Sequence, residues 1–294
     1  MQEINELIIK KEFIDEFQTY LYEKEHAKAT ILKYITDIRT FYKYLGDIQI
    51  VNRSVLINYK EWLLKNYAIS SVNSLIVALN QFLCFLNKAK MKLRRVKSQK
   101  QMYIEQEKIL TQKDYCTLIK TAKKKGKEQL AMIIETIGTT GIRISELPYF
   151  TVEAVKTGRV EIYNKGKYRI ILLPKSLRLN LLKYIKKSDI SEGIVFQTKN
   201  GNAKDRSNIW RELKSLTDDC DVKKIKVFPH NLRHLFARTF YKVTKNLVNL
   251  ADILGHSNME ITRIYTMNSL KDSQKHMEKV YRYYEKSKGI LQQE

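Results

Sequence analysis

His230-Asn231-Leu232-Arg233-His234, then Leu254-Gly255-His256, then Tyr265 within Arg263-Ile264-Tyr265-Thr266, are the segments of this chain that say most about its architecture. Three of the chain's five histidines lie between positions 230 and 256, and Tyr265 follows His256 by nine residues. Upstream, Thr140-Gly141-Ile142-Arg143-Ile144-Ser145-Glu146-Leu147 supplies a second arginine. An arginine fork binds two phosphate oxygens at once and keeps its charge at every physiological pH. Two such forks beside histidines and a tyrosine, with no carboxylate cluster for a metal, point to phosphoryl transfer onto a tyrosine.

Each residue is ordinary in isolation. A lone arginine is most often a surface ion pair, and Tyr265 is one of eighteen tyrosines. His230 and Arg233, three apart after Pro229, project from one face of a predicted helix. His234 lies one turn beyond His230 and reads as a packing residue. A metal held by His230, His234 and His256 is the competing account. It is disfavoured because arginine between the histidines repels a cation and no carboxylate or thiol lies at ligand spacing. A phenol with an ordinary pKa near ~10 needs neighbouring cations to favour the phenolate.

Outward from these segments, the chain has 294 residues and a formal charge of +23 from 54 basic and 31 acidic side chains. Nucleic acid is the expected partner of such a field, because phosphate contacts release counterions. Forty of the basic residues are lysines, so part of the excess also fits a plain solvated surface. An anionic membrane is the weaker alternative, with no basic amphipathic helix bearing a Trp/Phe face and no spanning run. Cys84, Cys116 and Cys220 are scattered and odd in number, which fits free thiols in a reducing compartment.

Three prolines and ten glycines imply a mainly helical chain. Four amphipathic stripes fill the first ninety residues: Phe13 to Leu21, Ile31 to Leu45 closed by Gly46, Val55 to Leu63, and Val72 to Leu86 with Ser70 or Ser71 as N-cap. Their aromatics read as core. Lys88 to Lys100 carries seven cations and no acid, and reads as a linker that could span roughly 35–40 Å beside a duplex. Lys92, Arg94, Arg95 and Lys97 are its candidate DNA contacts. From Ile109, with Thr111 as N-cap, two helices are expected before Gly141, and Arg143 should open another. The single clear β region is Arg159–Tyr163 and Tyr168–Leu173, joined by Asn164-Lys165-Gly166-Lys167. Lys165 in that turn is the candidate general acid for a leaving oxygen, with Lys167 as the alternative. Helix resumes from Ser176, breaks at 189–205, and closes the chain over 270–288.

In these residues the chain resembles the tyrosine recombinases, the phage integrase family. The stretch from Thr140 to Leu147 is similar to that family's first arginine box, 230–234 to its H-x-L-R-H box, and 254–256 with Tyr265 to its third. Ala29-Thr30 through Tyr34, Asp37, Phe41 and Leu45 resembles its helical core-binding domain. The resemblance implies a mainly α fold with a small antiparallel sheet. It divides the chain into a core-binding, SAM-like domain over 1–92, a basic linker over 93–108, and a catalytic domain over 109–294. A C-terminal helix near 270–288 would dock on a neighbouring protomer. Tyr265 would attack the scissile phosphate to give a 3′-phosphotyrosyl bond. Arg143, Arg233 and His256 would hold the phosphate, His230 would assist proton transfer, and Lys165 would protonate the leaving 5′-oxygen. The reaction needs no metal or nucleotide, and such enzymes act as homotetramers on duplex DNA with inverted half-sites, in the cytoplasm at the nucleoid. The turn departs from the family, which more often places Gly before the lysine. Pro148 after Leu147 is also unusual. The start of the chain near the core-binding domain resembles compact Xer-like and inversion-type members without an arm-binding domain. Type IB topoisomerase-like relaxation and a non-catalytic DNA-binding regulator are the rival functions.

Overall fold

The computed structural model describes residues 7–46, 50–97, 106–164, 167–255, 262, 274 and 277–285. The chain divides into two compact units, Met1–Lys100 and Gln101–Glu294. Both are helical, each around its own hydrophobic core.

The N-terminal unit contains α1 (Glu12–Glu23), α2 (Lys28–Leu45), α3 (Arg53–Asn66) and α4 (Ile69–Phe85), as the four stripes require. Ile14, Phe17 and Leu21 of α1, and Ile31, Ile35, Ile38 and Phe41 of α2, are buried, at the three-to-four spacing of one helical face. Phe17 meets Phe82 edge-on at 5.2 Å, and Phe41 packs on Tyr59 at 4.7 Å, so these aromatics are core. Gly46 closes α2 at φ +54°. Two expectations need correction. The α4 N-cap is Ala68, in extended backbone and without a side-chain cap, so Ser70 and Ser71 fall inside the first turn. A second small sheet also exists: β1 (Leu7–Ile8) pairs antiparallel with β2 (Ile50–Val51). Strands of two residues are too short to show a period of two in sequence.

The basic run is not an open linker over its first ten residues. Met91 and Leu93 are buried in the N-terminal core. Asn80 of α4 donates to the Leu93 carbonyl (2.9 Å) and accepts from its N–H (2.8 Å). Asn73 makes the same pair with Val96 (3.0 and 2.8 Å). Arg53 donates to the Met91 and Lys92 carbonyls, and Lys60 to that of Arg94. Two asparagines seven residues apart on a helix are separated by about 10.5 Å. Three residues of extended chain span about 10 Å. The match lets a strap lie antiparallel along α4, with Lys92, Arg94, Arg95 and Lys97 exposed along it.

The second unit opens with α5 (Gln112–Lys124). Its Thr111–Asp114 capping box has both reciprocal bonds. Next, α6 (Glu128–Thr140) is buried nearly all round and forms the centre of the core. Ile144–Tyr149 is a 3₁₀ turn containing Pro148, rather than the helix expected after Arg143. Proline lacks the N–H that an α-helix would need there. After α7 (Val152–Thr157), β3 (Arg159–Asn164) and β4 (Lys167–Leu172) pair antiparallel with Tyr163 opposite Tyr168. Then follow α8 (Lys175–Lys187), α9 (Arg206–Ser215), α10 (Pro229–Thr244) and α11 (Leu247–Leu254). The residues described within 277–285 are helical. No helix among the described residues is long and apolar enough to cross a membrane.

Candidate active site

The site forms where α6, α10, α11 and β4 meet, and backbone geometry sets it up. Gly141 ends α6 at φ +67°, and a Cβ there would lie 2.3 Å from the Phe236 ring. That left-handed residue, open to glycine at little cost, turns the chain so that Ile142 enters the core and Arg143 follows in extended backbone. Glu146 fixes Arg143 twice: Oε2 accepts its backbone N–H (2.7 Å), and Oε1 accepts from Nη1 (3.1 Å). Pro229 starts α10, so Arg233 emerges in its second turn, pointing inward and 1% exposed.

The C-terminal end of α11 gathers the cations. The last carbonyls of a helix lack intrahelical donors, and the dipole makes that end favourable to positive charge. Arg169 of β4 donates through Nη1 to the Ile253 carbonyl. Arg233 donates through Nη2 to that of Leu254 (2.7 Å) and through Nη1 to that of Gly141 (2.5 Å). Arg143 donates through Nη2 to that of Gly255 (3.5 Å). Three guanidiniums from distant parts of the sequence thus cap three successive carbonyls, immediately before His256 in the chain.

Glu146 is the anion at the centre, 1% exposed, bridging Arg143 and Arg169, whose Nη2 donates to Oε2 at 2.6 Å. Burial pulls the Arg169 pKa below its ordinary value, Glu146 opposes that pull, and Arg143 adds to it. His230 titrates below the usual histidine range, through burial first and then the positive charges of Arg233 and Arg143. It is neutral at pH 7 and able to accept a proton. Its ring meets that of His234 edge-on at 4.4 Å.

Of the six candidate catalytic residues, Arg143, His230 and Arg233 come together here. Lys165, His256 and Tyr265 lie outside the described residues. The hairpin that carries Lys165 is braced at its end: the Tyr163 and Tyr168 rings sit 4.7 Å apart across the strands, and the Tyr149 hydroxyl donates to the Tyr163 carbonyl. Sequence reasoning does not single out Glu146 or Arg169. Glu146 carries a usable signal, since it stands three residues after Arg143, where a side chain can turn back onto the backbone N–H. Arg169 carries none, being one of fourteen arginines.

Residues 108–271 match the model of the phage integrase family, and residues 14–90 that of the phage integrase N-terminal SAM-like domain. The tyrosine recombinase XerA of Thermococcus kodakarensis is 28% identical over 279 residues, covering 91% of this chain and 95% of its own. The fold resembles that of the XerH site-specific recombinase bound to palindromic difH substrate in a post-cleavage complex. There the TM-score is 0.69 at 16% identity, over 92% of this chain and 84% of that one. A lambda integrase tetramer bound to a Holliday junction gives 0.71 at 15% identity, over 89% and 78%.

Proposed function

This chain belongs to the phage integrase family of tyrosine recombinases, and from that membership we propose that it is a site-specific DNA recombinase acting through a 3′-phosphotyrosyl intermediate. The Tyr265 oxygen attacks the scissile phosphorus as the bond to the 5′-oxygen breaks. Lys165 gives that oxygen its proton. Arg143, Arg233 and His256 neutralise the charge that builds on the non-bridging oxygens, where donors act on the transition state more than on the ground state. Neutral His230 takes up or relays the tyrosine proton. The phosphotyrosine keeps the bond energy, so a 5′-hydroxyl from a second duplex reverses the step and exchanges strands.

One observation carries this reading. Arg143 donates to the carbonyl of Gly255 and Arg233 to that of Leu254, the two residues that precede His256. The boxes are far apart in sequence, and a shared phosphate explains why they converge. The lambda integrase match is a tetramer on DNA, and we extend that assembly to this chain, on inverted half-sites. Met277, Val280, Tyr281 and Tyr284 are exposed in the isolated chain, as a helix that docks on a neighbouring protomer requires. The N-terminal unit and its strap, with Lys92, Arg94, Arg95 and Lys97, would bind the half-site. The outcome in the cell is integration, excision or inversion of a DNA segment at the nucleoid.

A nicked suicide duplex tests the mechanism, with its site taken from a randomised duplex pool by selection for binding. The native chain should give a covalent protein–DNA adduct. Tyr265→Phe should give none while binding the same duplex equally well. An adduct with the Phe variant would overturn the choice of nucleophile.

A further inference from the structure

We propose that Arg169 is a positioning residue of the phosphate site, whose guanidinium occupies Glu146 so that Arg143 remains available to the DNA phosphate. The inference rests on the function proposed above and adds to it a residue and a division of labour.

Glu146 is a fully buried carboxylate, and a buried charge must be compensated. Two arginines compete for it. Arg169 donates Nη2 to Oε2 at 2.6 Å, beside the Arg143 backbone N–H on the same oxygen. Only Oε1 is left for the Arg143 side chain, which meets it through a single nitrogen at 3.1 Å. The exposures follow the same division: the Arg169 side chain is 12% exposed and that of Arg143 is 37%. One guanidinium is committed to the carboxylate and the other faces solvent. Arg169 also holds the end of α11, through the Ile253 carbonyl and through contact with Gly255. A Cβ built on Gly255 would lie 2.9 Å from the Arg169 Cδ, and glycine permits that approach. A single side chain therefore ties Glu146, and through it Arg143, to the residue that precedes His256.

Without Arg169, Glu146 would have one cation to pair with. The bidentate fork between arginine and carboxylate is the strong geometry, so Arg143 would close onto both oxygens and turn away from the phosphate. Lysine cannot replace Arg169 fully, because one ammonium is a compact point charge and does not reproduce a planar fork with two separate acceptors.

The experiment measures the single-turnover rate of adduct formation on the selected suicide duplex, together with duplex affinity and thermal melting. Arg169→Met should slow adduct formation roughly 10–100-fold, the range for residues that orient a binding group, with affinity changed by less than about threefold. Arg169→Lys should fall between. The deciding readout is a sign reversal: Glu146→Gln should slow the native chain, yet speed the Arg169→Met chain at least about fivefold, because it removes the carboxylate that captures Arg143. A merely structural role predicts that the two losses accumulate. Adduct formation at the native rate in Arg169→Met overturns the inference, as does a double variant no faster than Arg169→Met. If Arg169→Met does not fold, the same comparison runs in Arg169→Lys, and a native rate or no gain from Glu146→Gln there is equally fatal. Failure of the native chain to form any adduct overturns the proposed function and this inference with it. A normal native rate unchanged by the Arg169 variants overturns the inference alone.

Discussion

Replacing Lys92, Arg94, Arg95 and Lys97 together by serine should weaken DNA binding by a predictable dependence on salt. The four side chains are exposed, while the strap is held by Met91, Leu93 and the asparagine pairs of α4. Folding stability should therefore change by no more than about 0.5 kcal/mol per replaced side chain, as for other surface substitutions. If each cation neutralises one phosphate, each contributes about 0.9 to the slope of log affinity against log salt, giving roughly 3.6 for four. Between about 50 and 200 mM salt, a fourfold change, that slope amounts to a factor of about 150. The native chain should lose about 150-fold more affinity than the variant over that interval. Fluorescence-anisotropy titrations of the selected duplex across a salt series read the slope, and a thermal melt confirms that the strap is intact. A variant slope within about one unit of the native value, at an unchanged melt, would refute the argument that the pinned strap is a phosphate-binding ledge.

Asn80→Ala removes both hydrogen bonds to Leu93 and should cost about 1–3 kcal/mol in urea melts. The same change should open the strap to trypsin at Lys92, Arg94 and Arg95, and an unchanged digestion rate would argue against the docking. Gly141→Ala combines a positive φ with a contact 2.3 Å from Phe236 and should cost roughly 2–5 kcal/mol. Because Arg233 donates to the Gly141 carbonyl, adduct formation should fall with it; a variant as stable as the native chain would contradict the packing. The lowered pKa of His230 gives a direction in acid. Above its ordinary value of 6.5, neither the folded nor the unfolded state holds the proton, and the residue contributes nothing. As pH falls through that value the unfolded chain takes up the proton first, so folding stability drops, and the loss levels off below the folded pKa. The urea midpoint should fall more between about pH 7.5 and 5.5 for the native chain than for His230→Asn, and equal losses would refute the shift.

Four helical stripes, an N-cap at Thr111 and a hairpin with strands near 159–163 and 168–173 are all legible in the amino-acid order. Each depends on residues within a few positions of one another, where periodicity and capping act. The arginine boxes are legible because their residue types and order are unusual together. The strap reads as a linker, since its composition is that of a solvated loop. What holds it is a spacing match between Asn73 and Asn80 on α4 and two backbone groups that sequence does not display. The segment after Arg143 reads as helix because its pattern is otherwise helical, and Pro148 tips it into a 3₁₀ turn.

Local sequence is enough for the four N-terminal helices, the hairpin and the chemical inventory: two arginines and histidines in order, with a tyrosine at the end. How the inventory is used depends on tertiary packing. The fold brings Arg143, Arg169 and Arg233 onto three consecutive carbonyls at the end of α11, and it buries Glu146 between two of them. Packing settles this because capping and charge compensation are long-range demands. A helix end and a buried carboxylate must find donors. Which of fourteen arginines satisfies them cannot be read locally, because guanidiniums are alike in sequence and differ in where the fold delivers them.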